Sequence, residues 1–72
     1  MRLTSASELG SIIKIVRKKN HLTQLEVAQA CGVGVRFIVE LEKGKPTCEL
    51  EKSLKVAYML GIQIEIRNVQ VP

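Results

Sequence analysis

The sequence predicts an all-α domain of four to five short helices that ends in a single β-strand. Apolar residues recur at helical spacing through most of the chain, and capping residues or glycines mark the ends of the periodic segments. Strict alternation of apolar and polar residues appears near the C-terminus. The 72 residues suffice for one domain and not for two, so we expect residues 1–72 to form a single unit.

The first helix is predicted to begin near Ser5 or Ser7, either of which can cap it. Glu8 then lies in the first turn, where the helix dipole favours an acid. The apolar face of this helix comprises Leu9, Ile12, Ile13 and Val16. The basic residues near its other end are Lys14, Arg17, Lys18 and Lys19. Because basic residues suit that end of the dipole, Lys18 and Lys19 are interpreted as a solvated helix end, with phosphate contact as the alternative.

A second helix is predicted over Gln24–Cys31, after a turn at residues 20–22. Thr23 precedes this helix as its N-cap, and Glu26 follows three residues later, as in a capping box. Gly32 is expected to end the helix and to adopt a positive φ, which glycine does at the lowest cost.

A third helix is predicted from about Val35 to Glu42, because Lys43-Gly44 and then Pro46 follow it. Thr47 is expected to cap a fourth helix, which Gly61 closes. The apolar stripe of that helix is predicted to comprise Leu50, Leu54, Ala57 and Leu60.

Residues 62–66 alternate strictly between isoleucine and polar residues, which indicates a strand over about 62–67. A lone strand leaves both edges unpaired. Pairing with the same strand of a second copy would satisfy it and bury Ile62, Ile64 and Ile66, so we expect a homodimer. The alternatives are packing on the chain's own helices and pairing with residues 2–4.

The most informative stretch is 24–43, where two short helices joined by a tight turn form a helix-turn-helix unit. Ala28 lies where the helices would crowd each other, so only a small side chain fits. The side chains expected to meet between the helices are Val27, Cys31, Val33, Ile38 and Leu41. Phe37 is interpreted as a core residue or a wedge against the first helix.

This stretch resembles the lambda-repressor-type helix-turn-helix family, also called the Xre family. The resemblance is carried by Thr23–Ala28, Gly32–Val33, Ile38 and Leu41–Lys45, and it covers roughly Leu9 to Ile66. It is closest to the HipB-like antitoxin branch, whose pattern is matched by Arg36–Thr47.

The resemblance implies that the third helix enters the DNA major groove with its N-terminal residues at the base edges. The expected base-proximal residues are Gly34, Val35, Arg36 and Glu40. Arg36 would contact guanine and Val35 a thymine methyl group. The alternative is that Arg36 and Glu40 pair with each other on a solvated face. Gly34 stands where the family usually has Ser or Thr, so we expect neither a side-chain cap nor its phosphate contact there.

Four further residues match positions that hold the DNA backbone in this family: Thr23, Gln24, Lys43 and Lys45. The first two begin the second helix, where free amides and the helix dipole favour phosphate. The lysines match a basic flank beside the same backbone. The resemblance also implies a partly buried ion pair between Arg17 and Glu42, with a structural role.

The composition limits other functions. A net charge of +4 suits a polyanionic partner, and the 3% aromatic content argues against base stacking on single strands. Two cysteines and one histidine favour no metal site, and no catalytic constellation appears, so we expect neither a cofactor nor an enzyme. No apolar run can span a bilayer and the first residues form no signal region, so we expect a cytoplasmic protein.

The sequence thus predicts a double-stranded-DNA-binding repressor that recognises a palindromic operator as a homodimer. The resemblance further implies an autoregulating antitoxin with a HipA-like kinase toxin as partner. One alternative is a stand-alone repressor of prophage or metabolic genes. Another is a protein-interaction module without DNA binding, which Gly34 and the acidic Glu40 favour.

Overall fold

The computed structural model describes residues 3–66, which form four α-helices: α1 (Ala6–Lys19), α2 (Gln24–Cys31), α3 (Val35–Glu42) and α4 (Leu50–Met59). The predicted all-α class and the helix-turn-helix unit are confirmed. Within the described residues no strand is present in the single chain, and residues 62–66 carry no regular secondary structure. Two parts of the strand prediction, residue 67 and the alternative partner Arg2, lie outside the described residues.

The first helix begins after Ser5, the nearer of the two predicted caps. The Glu8 N–H donates to the Ser5 hydroxyl over 3.2 Å, and the Thr4 hydroxyl donates to the Glu8 carboxylate. These hydrogen bonds hold the pKa of Glu8 below its usual range, with those from Thr4 as the main cause. Ile13 is fully buried on the predicted apolar face, whose other three members are half-buried.

The turn between α2 and α3 follows the predicted geometry. Gly32 has φ 69° and ψ 33°, the left-handed conformation that ends a helix. The Val33 N–H then donates to the Ala28 carbonyl over 3.0 Å, which closes the turn. A side chain at position 32 would meet nothing within 4 Å, so glycine is required there for its backbone conformation and not for space.

The core lies between the four helices and includes the expected contacts of the helix-turn-helix unit. Its buried apolar residues are Ile13, Val27, Ala28, Cys31, Ile38, Leu41, Val56 and Ala57. Val33 and Phe37 are half-buried against this cluster. The Lys52 ammonium lies over the Phe37 ring, 6.0 Å from its centroid, so one face of this ring is turned toward a side chain of α4.

Two glycines allow α1 to approach the end of α3 closely. A Cβ on Gly10 would lie 2.3 Å from the Leu41 carbonyl oxygen, and one on Gly44 would lie 2.6 Å from the Ser7 Cα. Both neighbours are backbone atoms, which cannot rotate away. The separation of α1 and α3 therefore depends on hydrogen atoms at these two positions.

The prediction that Thr47 caps α4 is wrong. The N-cap is Glu49, two residues after Thr47, so the helix begins at Leu50, and no side chain caps it. Residues 45–48 instead form a turn in which the Cys48 N–H donates to the Lys45 carbonyl over 3.3 Å. The turn places Cys48 half-buried against the core before the helix starts.

The predicted apolar stripe of α4 is also wrong in part. Leu50 is 68% exposed and Leu54 is 44% exposed, whereas Ser53 is 3% exposed. The inward face comprises Ser53, Val56, Ala57 and the half-buried Leu60. A serine is tolerated there because its hydroxyl donates to the Glu49 carbonyl over 2.8 Å.

Candidate nucleic-acid interface

The start of α2 is fixed by a reciprocal pair of hydrogen bonds. The Glu26 N–H donates to the Thr23 hydroxyl over 3.0 Å, and the Thr23 N–H donates to the Glu26 carboxylate over 2.8 Å. The capping box is therefore confirmed. These bonds, with the backbone bond as the largest cause, hold the pKa of Glu26 below its usual range. Thr23 is exposed and its hydroxyl keeps one proton to donate.

Gln24, the second residue expected at the DNA backbone, is half-buried. Its side-chain amide donates to the Glu42 carboxylate over 3.2 Å. An amide nitrogen carries two hydrogens, so one remains for a phosphate oxygen. The structure thus joins the start of α2 to the end of α3, a contact between residues 18 positions apart that no local sequence pattern indicates.

The Glu42 carboxylate also pairs with Arg17, as the family resemblance implies. The Arg17 Nε donates over 2.6 Å and a terminal nitrogen over 2.9 Å, while the side chains are only 9% and 3% exposed. The bond to Glu42 raises the pKa of the Arg17 guanidinium above its usual value. The side chains of Arg17 and Glu42 therefore bind each other and link α1 to α3, which confirms the predicted ion pair.

The N-terminal end of α3 presents its side chains outward. Val35 is 42% exposed, and Arg36 and Gly34 are also exposed. Gly34 is the N-cap with φ −71° and makes no side-chain cap bond, as predicted. The first backbone N–H groups of the helix are therefore not occupied by a capping side chain, and an apolar and a cationic side chain stand next to them.

An open groove of about 470 Å³ lies between α3 and the turn that follows it. Its lining includes Arg36, Glu40, Lys43 and Lys45, so half of the predicted DNA-contact residues meet in one place. The groove therefore combines three cations with one carboxylate. Gln24 is linked to it through Glu42, the residue before Lys43.

Glu40 pairs with Lys45 and not with Arg36, the partner considered from i, i+4 spacing. Its carboxylate accepts a hydrogen bond of 2.7 Å from the Lys45 ammonium. This bond, and the charges of Lys45, Arg36 and Lys43, hold the pKa of Glu40 below its usual range. Sequence reasoning missed the pair because Lys45 follows the end of α3, beyond the regular helical spacing.

The three isoleucines predicted at a dimer interface lie apart from this groove. Ile62 is half-buried against the core, Ile64 is 41% exposed and Ile66 is 81% exposed. Two of the three are therefore available to a partner. Further exposed apolar residues lie on α4: Leu50, Leu54, Tyr58 and Met59.

Other site types find little support in the part of the chain that is described. Residues 3–66 contain no group of three or more His, Cys, Asp or Glu side chains able to hold a metal ion. Burial raises the pKa of the Cys31 thiol, so the less reactive protonated form prevails. None of the helices described is long and apolar enough to cross a membrane.

Comparison with known proteins gives a consistent result. The helix-turn-helix family HTH_3 matches residues 13–66, which include α2, α3 and α4. The chain is 46% identical over 65 residues to y4mF of Sinorhizobium fredii, described as an uncharacterized HTH-type transcriptional regulator; the match covers 90% of this chain and 86% of the relative. It is 25% identical to the ImmF control region 10 kDa protein of Bacillus phage phi105, covering 89% of this chain and 71% of that protein.

Solved structures with the same fold include HipB in complexes. A chain of the HipB–O4 20mer complex superposes with a TM-score of 0.85 at 23% identity, covering 97% of this chain and 99% of that chain. A chain of the HipA–HipB–O2–O3 complex superposes equally well, with the same TM-score of 0.85. At this identity the likeness concerns the fold alone.

Proposed function

The chain belongs to the helix-turn-helix family HTH_3, alongside an HTH-type transcriptional regulator, and on that basis we propose that it is a sequence-specific repressor that binds double-stranded DNA as a homodimer. The observation that carries the proposal is the outward face of α3. Val35 and Arg36 are exposed on this face, and Arg36 lines a groove together with Lys43 and Lys45.

Base recognition is assigned to the first turns of α3. Arg36 presents a guanidinium suited to the N7 and O6 atoms of guanine, and Val35 an apolar side chain suited to a thymine methyl group. Gly34 brings the backbone close to the DNA, and Glu40 accepts from a base amino group one turn further on.

Backbone contacts are assigned to the flanks of the same unit. Thr23 and Gln24 stand at the start of α2, where each keeps a proton for a phosphate oxygen. Lys43 and Lys45 lie in the groove that follows α3. Phosphate contacts of this kind set the register of the protein on DNA, and they do not select sequence.

The homodimer is supported by the exposure of Ile64 and Ile66 in a segment that makes no strand within the single chain. Pairing across a two-fold axis gives residues 62–66 a strand partner and covers both isoleucines. It also repeats the α3 surface at the spacing of successive major grooves, about 34–36 Å, which fits a palindromic operator.

We further propose that the protein is an autoregulating antitoxin with a HipA-like kinase toxin as its partner. The support is the shared fold with HipB, one of whose solved complexes contains HipA. A second candidate is a stand-alone repressor. The relative from a phage control region favours it. Two observations distinguish the antitoxin from the repressor. A kinase-like reading frame should lie next to the gene, and the kinase that it encodes should be retained by the tagged protein in a pull-down.

The DNA-binding proposal is tested by titrating the protein against duplex DNA from the region upstream of its own gene and against a scrambled duplex. We expect tighter binding to the upstream duplex, and binding that weakens steeply between about 50 and 200 mM salt. Arg36→Ala should weaken upstream binding about 10- to 100-fold. Lys55→Ala is the matched control, since it removes one exposed cation from α4. No binding at low salt would favour a protein-interaction module.

A further inference from the structure

Glu40 places a negative charge inside the groove that Arg36, Lys43 and Lys45 line. Its carboxylate faces Arg36, Lys43 and Lys45, three groups that would otherwise all be available to a polyanion. A carboxylate at a DNA-facing surface repels phosphates and base acceptor atoms. Its presence on the recognition helix therefore has to be reconciled with the proposed DNA-binding function, on which the present inference rests.

We propose that Glu40 is a specificity-determining residue that lowers affinity for DNA of the wrong sequence by holding Lys45 in an internal ion pair. The ammonium and carboxylate are 2.7 Å apart, with the side chains 48% and 33% exposed. The Lys45 backbone N–H also donates to the Glu40 carbonyl over 3.1 Å. Two bonds at different atoms thus tie Lys45 back to the recognition helix.

Whether the ion pair between Glu40 and Lys45 stays intact on DNA depends on the base that lies opposite Glu40. Where a cytosine or adenine amino group lies opposite Glu40, the carboxylate accepts a hydrogen bond from it and Lys45 is released to a phosphate. Where guanine O6 and N7 or thymine O4 lie opposite, the carboxylate is repelled and stays with Lys45. A complex with the wrong base therefore lacks both the contact of Glu40 with the base and the contact of Lys45 with a phosphate. Specificity then arises from weaker binding to incorrect sequences.

The charge of Glu40 is secure under ordinary conditions, since its pKa lies below the usual range of a glutamate. Arg36 remains outside the pair and keeps its guanidinium for guanine. The penalty therefore applies at the base that Glu40 faces, and it leaves recognition by Arg36 intact.

The test compares Glu40→Gln with wild-type protein on the upstream duplex and on a scrambled duplex of equal composition. We expect the variant to bind the scrambled duplex several-fold more tightly and to lose about tenfold in the ratio of upstream to scrambled affinity. Its salt dependence on scrambled DNA should steepen by about 0.9, the contribution of one additional phosphate contact. In a Lys45→Gln background the same substitution should no longer change that slope.

Glu49→Gln is the matched control. Glu49 is an exposed glutamate outside the groove that pairs with Lys52 over 3.4 Å, so its replacement changes the net charge equally. Equal gains on scrambled DNA for both variants would overturn the inference, because net charge alone would explain them. An unchanged slope and ratio for Glu40→Gln would overturn it as well, and would leave the proposed DNA binding intact. Wild-type protein that binds neither duplex would refute both proposals.

Discussion

The guanidinium of Arg17 and the carboxylate of Glu42 form a two-point ion pair that links α1 to α3. Arg17 donates a third bond to the Leu22 carbonyl over 2.9 Å, and Gln24 donates to Glu42 Oε1, the oxygen that also accepts from the Arg17 terminal nitrogen. Both charged side chains are nearly buried. One charge pair therefore connects α1, the turn before α2, α2 itself and the end of α3.

Removing one member of this ion pair should lower the stability of the folded protein. Glu42→Ala leaves the Arg17 charge buried without its partner, and we expect a loss of about 3–5 kcal/mol in the free energy of unfolding. For a domain of this size the melting temperature should fall by more than about 10 °C, as measured by circular dichroism. The double variant Arg17→Met, Glu42→Leu removes both charges and should recover most of the loss. An unchanged melting temperature for Glu42→Ala would contradict the pairing.

The close approach of α1 to α3 predicts the effect of Gly10→Ala. In an unpacked helix this change would stabilise by about 1 kcal/mol. Here the new Cβ would lie 2.3 Å from the Leu41 carbonyl oxygen, so we expect a loss of about 1–3 kcal/mol in a denaturant titration. Ser11→Ala, on the exposed side of the same helix, is the control and should be neutral or slightly stabilising. A gain in stability for Gly10→Ala would show that the helices can move apart.

The capping box predicts a pH dependence. The folded-state pKa of Glu26 is lowered, so its ionised form stabilises the fold above the unfolded pKa of about 4.3, and that stabilisation disappears as pH falls through the folded value. Glu26→Gln keeps an acceptor for the Thr23 N–H and cannot titrate. The difference in melting temperature between wild type and variant should therefore shrink between about pH 6 and pH 3. A difference that stays constant with pH would exclude this role of the carboxylate.

The proposed dimer is tested on the exposed isoleucines. The double variant Ile64→Asp, Ile66→Asp would place two carboxylates in an apolar interface, and we expect the dimer dissociation constant to rise at least about 100-fold in sedimentation equilibrium. Gln63→Asp introduces a charge between these positions on the alternate face of the predicted strand. This control should remain dimeric. A double variant that stays dimeric would place the interface elsewhere.

The bounds of α2 and α3 were predictable because their ends carry local chemistry. Thr23 with Glu26 marks one start, and the positive φ of Gly32 marks an end that glycine favours. The same reasoning failed at Thr47. A threonine before a helix resembles a cap, but the turn over residues 45–48 delays the helix to Leu50. The exposure of Leu50 and the burial of Ser53 depend on how α4 packs on the other helices, which the apolar pattern of this segment does not determine.

The candidate site shows the same division between local and distant information. The outward position of Val35 and Arg36 was predictable from the geometry of a helix-turn-helix unit and from the family resemblance. The bond between Gln24 and Glu42 was not, since 18 residues separate them and either side chain has a plausible solvent-facing interpretation. The link between Glu40 and Lys45 depends on how the chain turns after α3, which the spacing of charges does not determine.

Because Cys31 is buried, the reactivity of its thiol can be used to measure transient opening of the domain. Cys31 as a residue is 1% exposed within the core, whereas Cys48 is half-buried before α4. With Cys48 replaced by serine, an alkylating reagent can react only in those moments when α2 separates from its neighbours. The alkylation rate then reports how often the domain opens. A slower rate in the presence of DNA would measure how strongly DNA binding suppresses this opening.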